Sequence, residues 1–206
     1  MTVFKNSYFI MRHGESDANV KSVIVSDPAI GCEHFGLTQQ GSEQVITSGL
    51  AYTGEAITRI ICSDFLRTRQ TAELIAESLN LPSPQHDTGL RERFFGSWEG
   101  QSAEHYQGIW QRDQKTEQRA DDGVESTEAV LQRGIKVLER LEQQYQNQVI
   151  LLVSHGDILQ ILRTLFVGKP SQQHRSLPNH ETAEIRWLVS QGYECDLLEN
   201  RDVMCL

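Results

Sequence analysis

Nowhere in its 206 residues does the chain hold a run of about 20 apolar side chains, so no segment reads as a membrane-spanning helix. Ahead of Arg12 there is no basic stretch leading into a long apolar one, so no secretory leader is expected and the reading is a soluble, cytoplasmic protein. Positive charge is scarce: 19 Lys and Arg stand against 28 Asp and Glu, a formal net charge of −9. Nucleic-acid and anionic-membrane partners need clustered cations and are not expected. A small anion stays compatible, because surface charges farther off than roughly 8 Å are largely screened at physiological salt. Cys32, Cys62, Cys195 and Cys205 form no C-x-x-C, and a chain of this length can bury enough core without disulfides; reduced thiols are expected. His34, His86, His105, His174 and His180 show no metal-ligand spacing such as H-E-x-x-H. They read as solvated loop positions, and no metal or other cofactor is called for. No linker, low-complexity tract or repeat divides the chain, so residues 1–206 read as one domain; the oligomeric state is left open, a homodimer included.

What is present alternates. Short apolar runs at Tyr8–Met11, Arg59–Cys62 and Val149–Val153 read as strands. Between and after them, helices are predicted over Thr38–Tyr52, Phe65–Asn80, a segment capped by Ser126 or Thr127 and reaching Tyr145, and Asp157–Phe166. A late strand, Ala183–Val189, completes an α/β three-layer sandwich with a mostly parallel central sheet flanked by helices. Residues Ser97–Gly123, charged and aromatic but weakly periodic, read as a partly helical excursion over one edge, placed to serve as a lid.

Chemistry-bearing residues collect at the strand ends. "YFIMRHGE" (Tyr8–Glu15) and "VILLVSHGD" (Val149–Asp157) share one plan: an apolar strand, a polar residue, His-Gly and an acid. Ligands of open α/β sheets bind beyond the carboxyl ends of strands, so His13 and His155 are predicted to share one crevice, with Gly14 allowing the backbone a sharp turn there. A third strand ends in "IICSDFLRTRQTAE", which puts Arg67 in the first turn of a helix. A cation is mildly unfavourable at that end, by roughly 0.3–1 kcal/mol, which suggests an anion beside it; an exposed arginine needing no ligand is the alternative. Arginine forks match phosphate oxygens, a neutral histidine can attack phosphorus, and a second, protonated histidine can stabilise the oxygens. Glu92, in "GLRERFFGSWEG", is the candidate proton source, although Glu15, Glu99 and Glu104 compete with it and Arg91 or Arg93 could pair with any carboxylate.

In this order, R-H-G-E with Asn19 behind it, S-x-x-x-R with Q-T-A, L-R-E with F-G-x-W-E-G, and S-H-G resemble the histidine phosphatase superfamily, whose branches include the cofactor-dependent phosphoglycerate mutases. The similarity runs from Phe9 to about Arg163. The resemblance implies a phosphoglycerate mutase-like fold and a metal-independent enzyme. His13 would be the nucleophile that becomes phosphohistidine, its other nitrogen held by a carbonyl near Gly14. Arg12, Arg67 and His155 would bind the phosphoryl oxygens, helped by Asn19 and Gly156. Glu92 would protonate the leaving oxygen and then activate water. Glu15 takes a supporting position.

Within that superfamily, water as acceptor makes a hydrolase and a second substrate oxygen makes a mutase. Phe95 stands where the mutase branch has tyrosine, Arg112 and Arg119 are not the adjacent pair that holds a phosphoglycerate carboxylate, and S-H-G-D replaces S-H-G-N. These departures favour hydrolysis of a small phosphomonoester, a sugar phosphate or phosphoglycerate-like acid. The alternatives are a phosphoglycerate mutase (an isomerase) and a non-catalytic protein that binds a phosphorylated ligand. Trp98, His105, Tyr106, Trp110, Arg112, Lys115 and Arg119 are the residues through which the excursion would read the leaving group.

Overall fold

Our computed structural model describes residues 2–115 and 121–195; Arg119 and Cys205 lie outside them. In chain order the elements are β1 (Thr2–Val3), β2 (Ser7–Arg12), α1 (Asp17–Val20), α2 (Pro28–Gly31), α3 (Gln39–Ala51), β3 (Arg59–Cys62), α4 (Leu66–Ser78), β4 (Gln85–His86), α5 (His105–Lys115), α6 (Thr127–Gln144), β5 (Val149–Ser154), α7 (Gly156–Phe166), β6 (Ile185–Val189) and β7 (Glu194–Cys195). The main sheet runs β4-β3-β5-β2-β6, parallel except for β6, which is antiparallel to β2. Among the described residues no helix is long and apolar enough to cross a membrane.

Alternation along the two central strands divides the core. Tyr8, Ile10, Ile150 and Leu152 pack with Leu131, Ile135 and Leu138 of α6 and with Ile158 and Leu162 of α7. Phe9, Met11, Leu151 and Val153 face the other way, onto Val45 of α3 and Ala72 and Ile75 of α4. Both faces are covered, which is why β5 reads as an unbroken apolar run and why the molecule is the expected three-layer α/β sandwich.

Local chemistry sets the helix ends close to where the sequence put them. Thr38 Oγ1 accepts from Gly41 N at 2.9 Å to open α3, and Ser126, not Thr127, caps α6 by accepting from Ala129 N at 3.1 Å. The late strand is shorter than expected. Ala183 adopts a φ of 58°, outside extended backbone, while its N–H donates to Arg12 O at 3.0 Å, so extended structure resumes only at Ile185. The excursion has its own small core of Ile24, Phe95 and Ile109, covered by Trp98, Tyr106 and Val124. Gly96 pinches its two ends together: φ is 56°, and a Cβ there would lie 2.0 Å from Asp122 O.

Gly14 is not among the glycines with positive φ, so the expected turn there draws on no left-handed backbone. What it supplies is closeness. A Cβ on Gly14 would lie 2.5 Å from Gly41 O, and one on Gly41 would lie 1.9 Å from Glu15 O. The first turn of α3 thus rests directly on the backbone that carries His13. Alanine is normally the better helix residue by about 1 kcal/mol, yet Gly41→Ala should lower the denaturant midpoint. Overpacking typically costs about 1–3 kcal/mol, and here backbone meets backbone. Unchanged stability would show that α3 can retreat.

Candidate active site

The register of β2 on β5 places Arg12 opposite Ser154, and His13 N–H donates to Ser154 O at 3.0 Å. The residues that follow are therefore neighbours: the His13 and His155 rings stand 5.3 Å apart, edge to face, and both are buried. His13 Nδ1 lies 2.7 Å from Gly14 O, which can only accept, so Nδ1 carries the proton and Nε2 keeps a lone pair. Arg67 Nε donates to that nitrogen at 3.1 Å. Burial, followed by the Arg67 and Arg12 charges, holds the His13 pKa well below the ordinary histidine value. The imidazole is neutral, oriented and nucleophilic.

His155 Nε2 lies 2.9 Å from Ser63 Oγ. Ser63 Oγ otherwise accepts, from Phe65 N–H at 3.3 Å, and among the described residues Nε2 is the acceptor within reach of its hydroxyl proton, which leaves Nδ1 as the N–H of His155. The sequence reading has this second histidine protonated while it stabilises phosphoryl oxygens. Burial, then Arg67, depresses the His155 pKa, so a neutral ring offers one N–H; a phosphate dianion is the charge that would raise it again.

Arg67 Nη2 donates to Val25 O at 2.9 Å and Arg12 Nη1 to His180 O at 3.1 Å, which fixes both forks. Among the described residues, three buried nitrogens around His13 have no hydrogen-bond partner: Arg12 Nε, Arg67 Nη1 and His155 Nδ1. Buried donors are nearly always paired, so three orphans beside one nucleophilic nitrogen describe a socket for an anion with several acceptor oxygens. Gly156 opens α7 beneath this socket, and a Cβ there would meet Arg12 Cζ at 3.6 Å. Asn19 also lines the cavity. Its Oδ1 accepts from Ser16 N and Oγ at 3.0 and 2.9 Å, which leaves its NH2 as the donor.

Glu92 lines the same cavity, of about 310 Å³, with Arg12, His13 and Arg67. Desolvation, then the charge of Asp157, pushes its pKa up to about 7 against the opposing pull of Arg67 and Arg12. Its competitors are occupied elsewhere. Glu15 accepts from Thr38 Oγ1 at 2.7 Å, Glu99 accepts from Ser26 N and Oγ at 2.7 Å, and Glu104 is exposed. Arg91 forks onto Asp64 and Arg93 onto Asp113, so neither neighbour of Glu92 is free to bind it through the side chain.

From the excursion, Tyr106 and Trp110 of α5 reach the cavity, their rings stacked 5.3 Å apart. Trp98 and Arg112 instead bind Asp122, His105 lies tilted against Trp98, and Lys115 is exposed. His34, His86 and His105 are exposed as expected, but His174 and His180 are not solvated: both are buried, accepted at Ser171 O and Glu184 O. Ser63, Asp157, Gln160 and Arg175 also belong to the site and were assigned no part from sequence. Ser63, directly after an apolar strand, carried the same strand-end signal as His13. Arg175, in a short 3₁₀ turn (Ser171–Ser176), carried none.

Residues 8–202 match the sequence profile of the Histidine phosphatase superfamily (branch 1). The chain belongs to that superfamily. An adenosylcobalamin/alpha-ribazole phosphatase of Escherichia coli is 28% identical over 172 residues, 80% of this chain and 80% of that one. A probable phosphoglycerate mutase, GpmB, of Salmonella choleraesuis is 30% identical over 195 residues, 88% of this chain and 87% of that one. The structure of a putative alpha-ribazole-5'-P phosphatase from Escherichia coli superposes with a TM-score of 0.69 at 26% identity, covering 87% of this chain and 88% of that one. This histidine phosphatase thus has relatives of both the hydrolase and the mutase kind.

Ser63→Ala should leave His155 Nε2 buried and unpaired, a loss of about 1–3 kcal/mol, and lower kcat/KM of this histidine phosphatase roughly 5- to 150-fold. A kcat/KM equal to wild type would remove Ser63 from the site.

Proposed function

We propose that the protein is a metal-independent phosphomonoester hydrolase that works through phosphohistidine. One observation carries this reading: a neutral, tautomer-locked His13 is ringed by unpartnered buried donors, in a cavity it shares with a carboxyl that keeps its proton near neutral pH. Arg12, Arg67 and His155 grip the phosphoryl oxygens, with Asn19 and the Gly156 end of α7 beside them. His13 Nε2 attacks phosphorus, the bond to the ester oxygen breaks, and Glu92 gives that oxygen its proton. Water then attacks the phosphorus, Glu92 takes the water's proton, and the N–P bond breaks to release phosphate. All charge development is met by side chains already in place, and removing one such donor typically costs about 2.7–4 kcal/mol.

The cavity, near the lower end of the roughly 300–1,000 Å³ range of small-molecule sites, suits a leaving group of sugar or three-carbon-acid size. The relative named as a probable phosphoglycerate mutase keeps transfer to a second substrate oxygen as the other reading. Against it, Phe95 is fully buried among Ile24 and Ile109 and has no hydroxyl to offer at the tyrosine position of the mutase branch. A phosphomonoester panel that includes 3-phosphoglycerate with and without its bisphosphate separates the two, and failure on every member favours a binding protein.

Rapid acid-free quenching should trap acid-labile phosphate on the wild-type protein in excess chelator. His13→Ala should trap none, and undiminished labelling in that variant would refute the nucleophile. For an alkyl phosphomonoester, kcat/KM should fall as pH rises through about 7, because the acid must be protonated and Glu92 loses its proton there. Glu92→Gln should abolish this limb and depress the rate far more for alkyl esters than for p-nitrophenyl phosphate. Full activity on the alkyl ester would place the proton donor elsewhere.

A further inference from the structure

We propose that Asp157 is a positioning residue for this reaction: its single buried carboxylate fastens helix α5 over the cavity that it lines together with Glu92. The inference rests on the reading of Glu92 as the acid. An acidic residue in the first turn of a helix is ordinarily explained by the helix dipole. Asp157 is different, because its oxygens are turned toward other elements. Oδ2 accepts from Trp110 Nε1 of α5 at 3.0 Å, stands 3.5 Å from Arg93 Nη1 and 3.8 Å from His174 Nε2, while Oδ1 stands 4.0 Å from Arg175 Nη1. The residue is only 4% exposed.

The fastening is double. Trp110 is held at its indole N–H by Asp157 and on its face by the Arg175 guanidinium, 3.7 Å from the ring centroid. One turn on, Asp113 of the same helix takes the Arg93 fork at 2.6 and 2.8 Å. Arg93 is also the link to the acid: its backbone N–H donates to Glu92 Oε1 at 2.9 Å while its side chain reaches Asp157.

Charges face Glu92 from every neighbouring element. Arg12 from β2, Arg67 from α4 and Arg175 from the Ser171–Ser176 turn draw its proton off, and Tyr106 of α5 lies within electrostatic reach. Asp157 is the negative charge that opposes these arginines. Around Asp157 itself stand Arg93, Arg175 and His174, the last with its Nε2 unpaired and its pKa lowered by burial. Replacing Asp157 by a neutral side chain leaves the arginines unopposed, so Glu92 must release its proton at lower pH.

The test follows kcat/KM against pH for an alkyl phosphomonoester. Asp157→Asn should move the alkaline limb about one pH unit toward acid, a roughly tenfold loss at pH 8. A limb that coincides with wild type, even with a lower rate, overturns the electrostatic part. Asp157→Ser repeats the measurement if the asparagine variant does not fold. Trp110→Phe keeps the charge and removes the latch; KM should rise several-fold with the limb unmoved, and an unchanged KM overturns the fastening whatever the Asp157 variants do. A limb that survives Glu92→Gln is a separate result: it refutes the acid assignment, not the contacts of Asp157.

Discussion

Everything at the cavity depends on the parallel pairing of β2 with β5 in one register. With Arg12 opposite Ser154, the residues just beyond the last paired positions are His13 and His155, and two strands far apart in sequence deliver their imidazoles side by side. A slip of one residue would turn every side chain of β2 to the other face, exchanging Tyr8 and Ile10 for Phe9 and Met11 between two differently shaped halves of the core. The core therefore enforces the geometry of the site. The contact of Gly14 with Gly41 completes the constraint by seating α3 against the His13 backbone.

Electrostatically, the site runs against the rest of the molecule. A chain with a formal net charge of −9 concentrates Arg12 and Arg67 around one neutral imidazole and holds each fork with a single backbone carbonyl. Carbonyls orient the guanidinium groups without neutralising them. Their charge stays available to an anion and, added to the larger effect of burial, keeps His13 and His155 unprotonated. Carboxylates outside the cavity are assigned to other cations: Asp64 to Arg91, Asp113 to Arg93, Glu125 to Arg133. Arg133 donates to Gly89, Arg91 and Glu92 carbonyls, so the loop that presents Glu92 is pinned from below.

Much of this was legible in the chain. Strands of period two, helices of period 3.6 and their caps are local signals, and each expected element formed within a few residues. His13, Arg12, Arg67, His155, Asn19, Gly156 and Glu92 come together because each sits at a strand end, in the helix that follows one, or on a loop nearby. The misreadings share a cause. Gly14 looked only like a turn former because its partner, Gly41, is 27 positions away and invisible to local pattern. His174 and His180 looked solvated because a polar turn is indistinguishable from a loop until α7 and β6 cover it. Glu92 could not be separated from Glu15, Glu99 and Glu104, since what distinguishes it is the cavity and a carboxylate 65 residues later.

By itself, the sequence determined which residues end strands and which faces are apolar, and so the class of fold and the membership of one cluster. These depend on interactions between near neighbours in the chain. Only the tertiary structure decided which nitrogen of His13 carries the proton, that His155 is neutral, that Glu92 keeps its proton near pH 7, and which side chains of the excursion reach the cavity. Protonation and access are set by burial and by charges brought within a few ångströms from distant positions, and no local pattern encodes those distances.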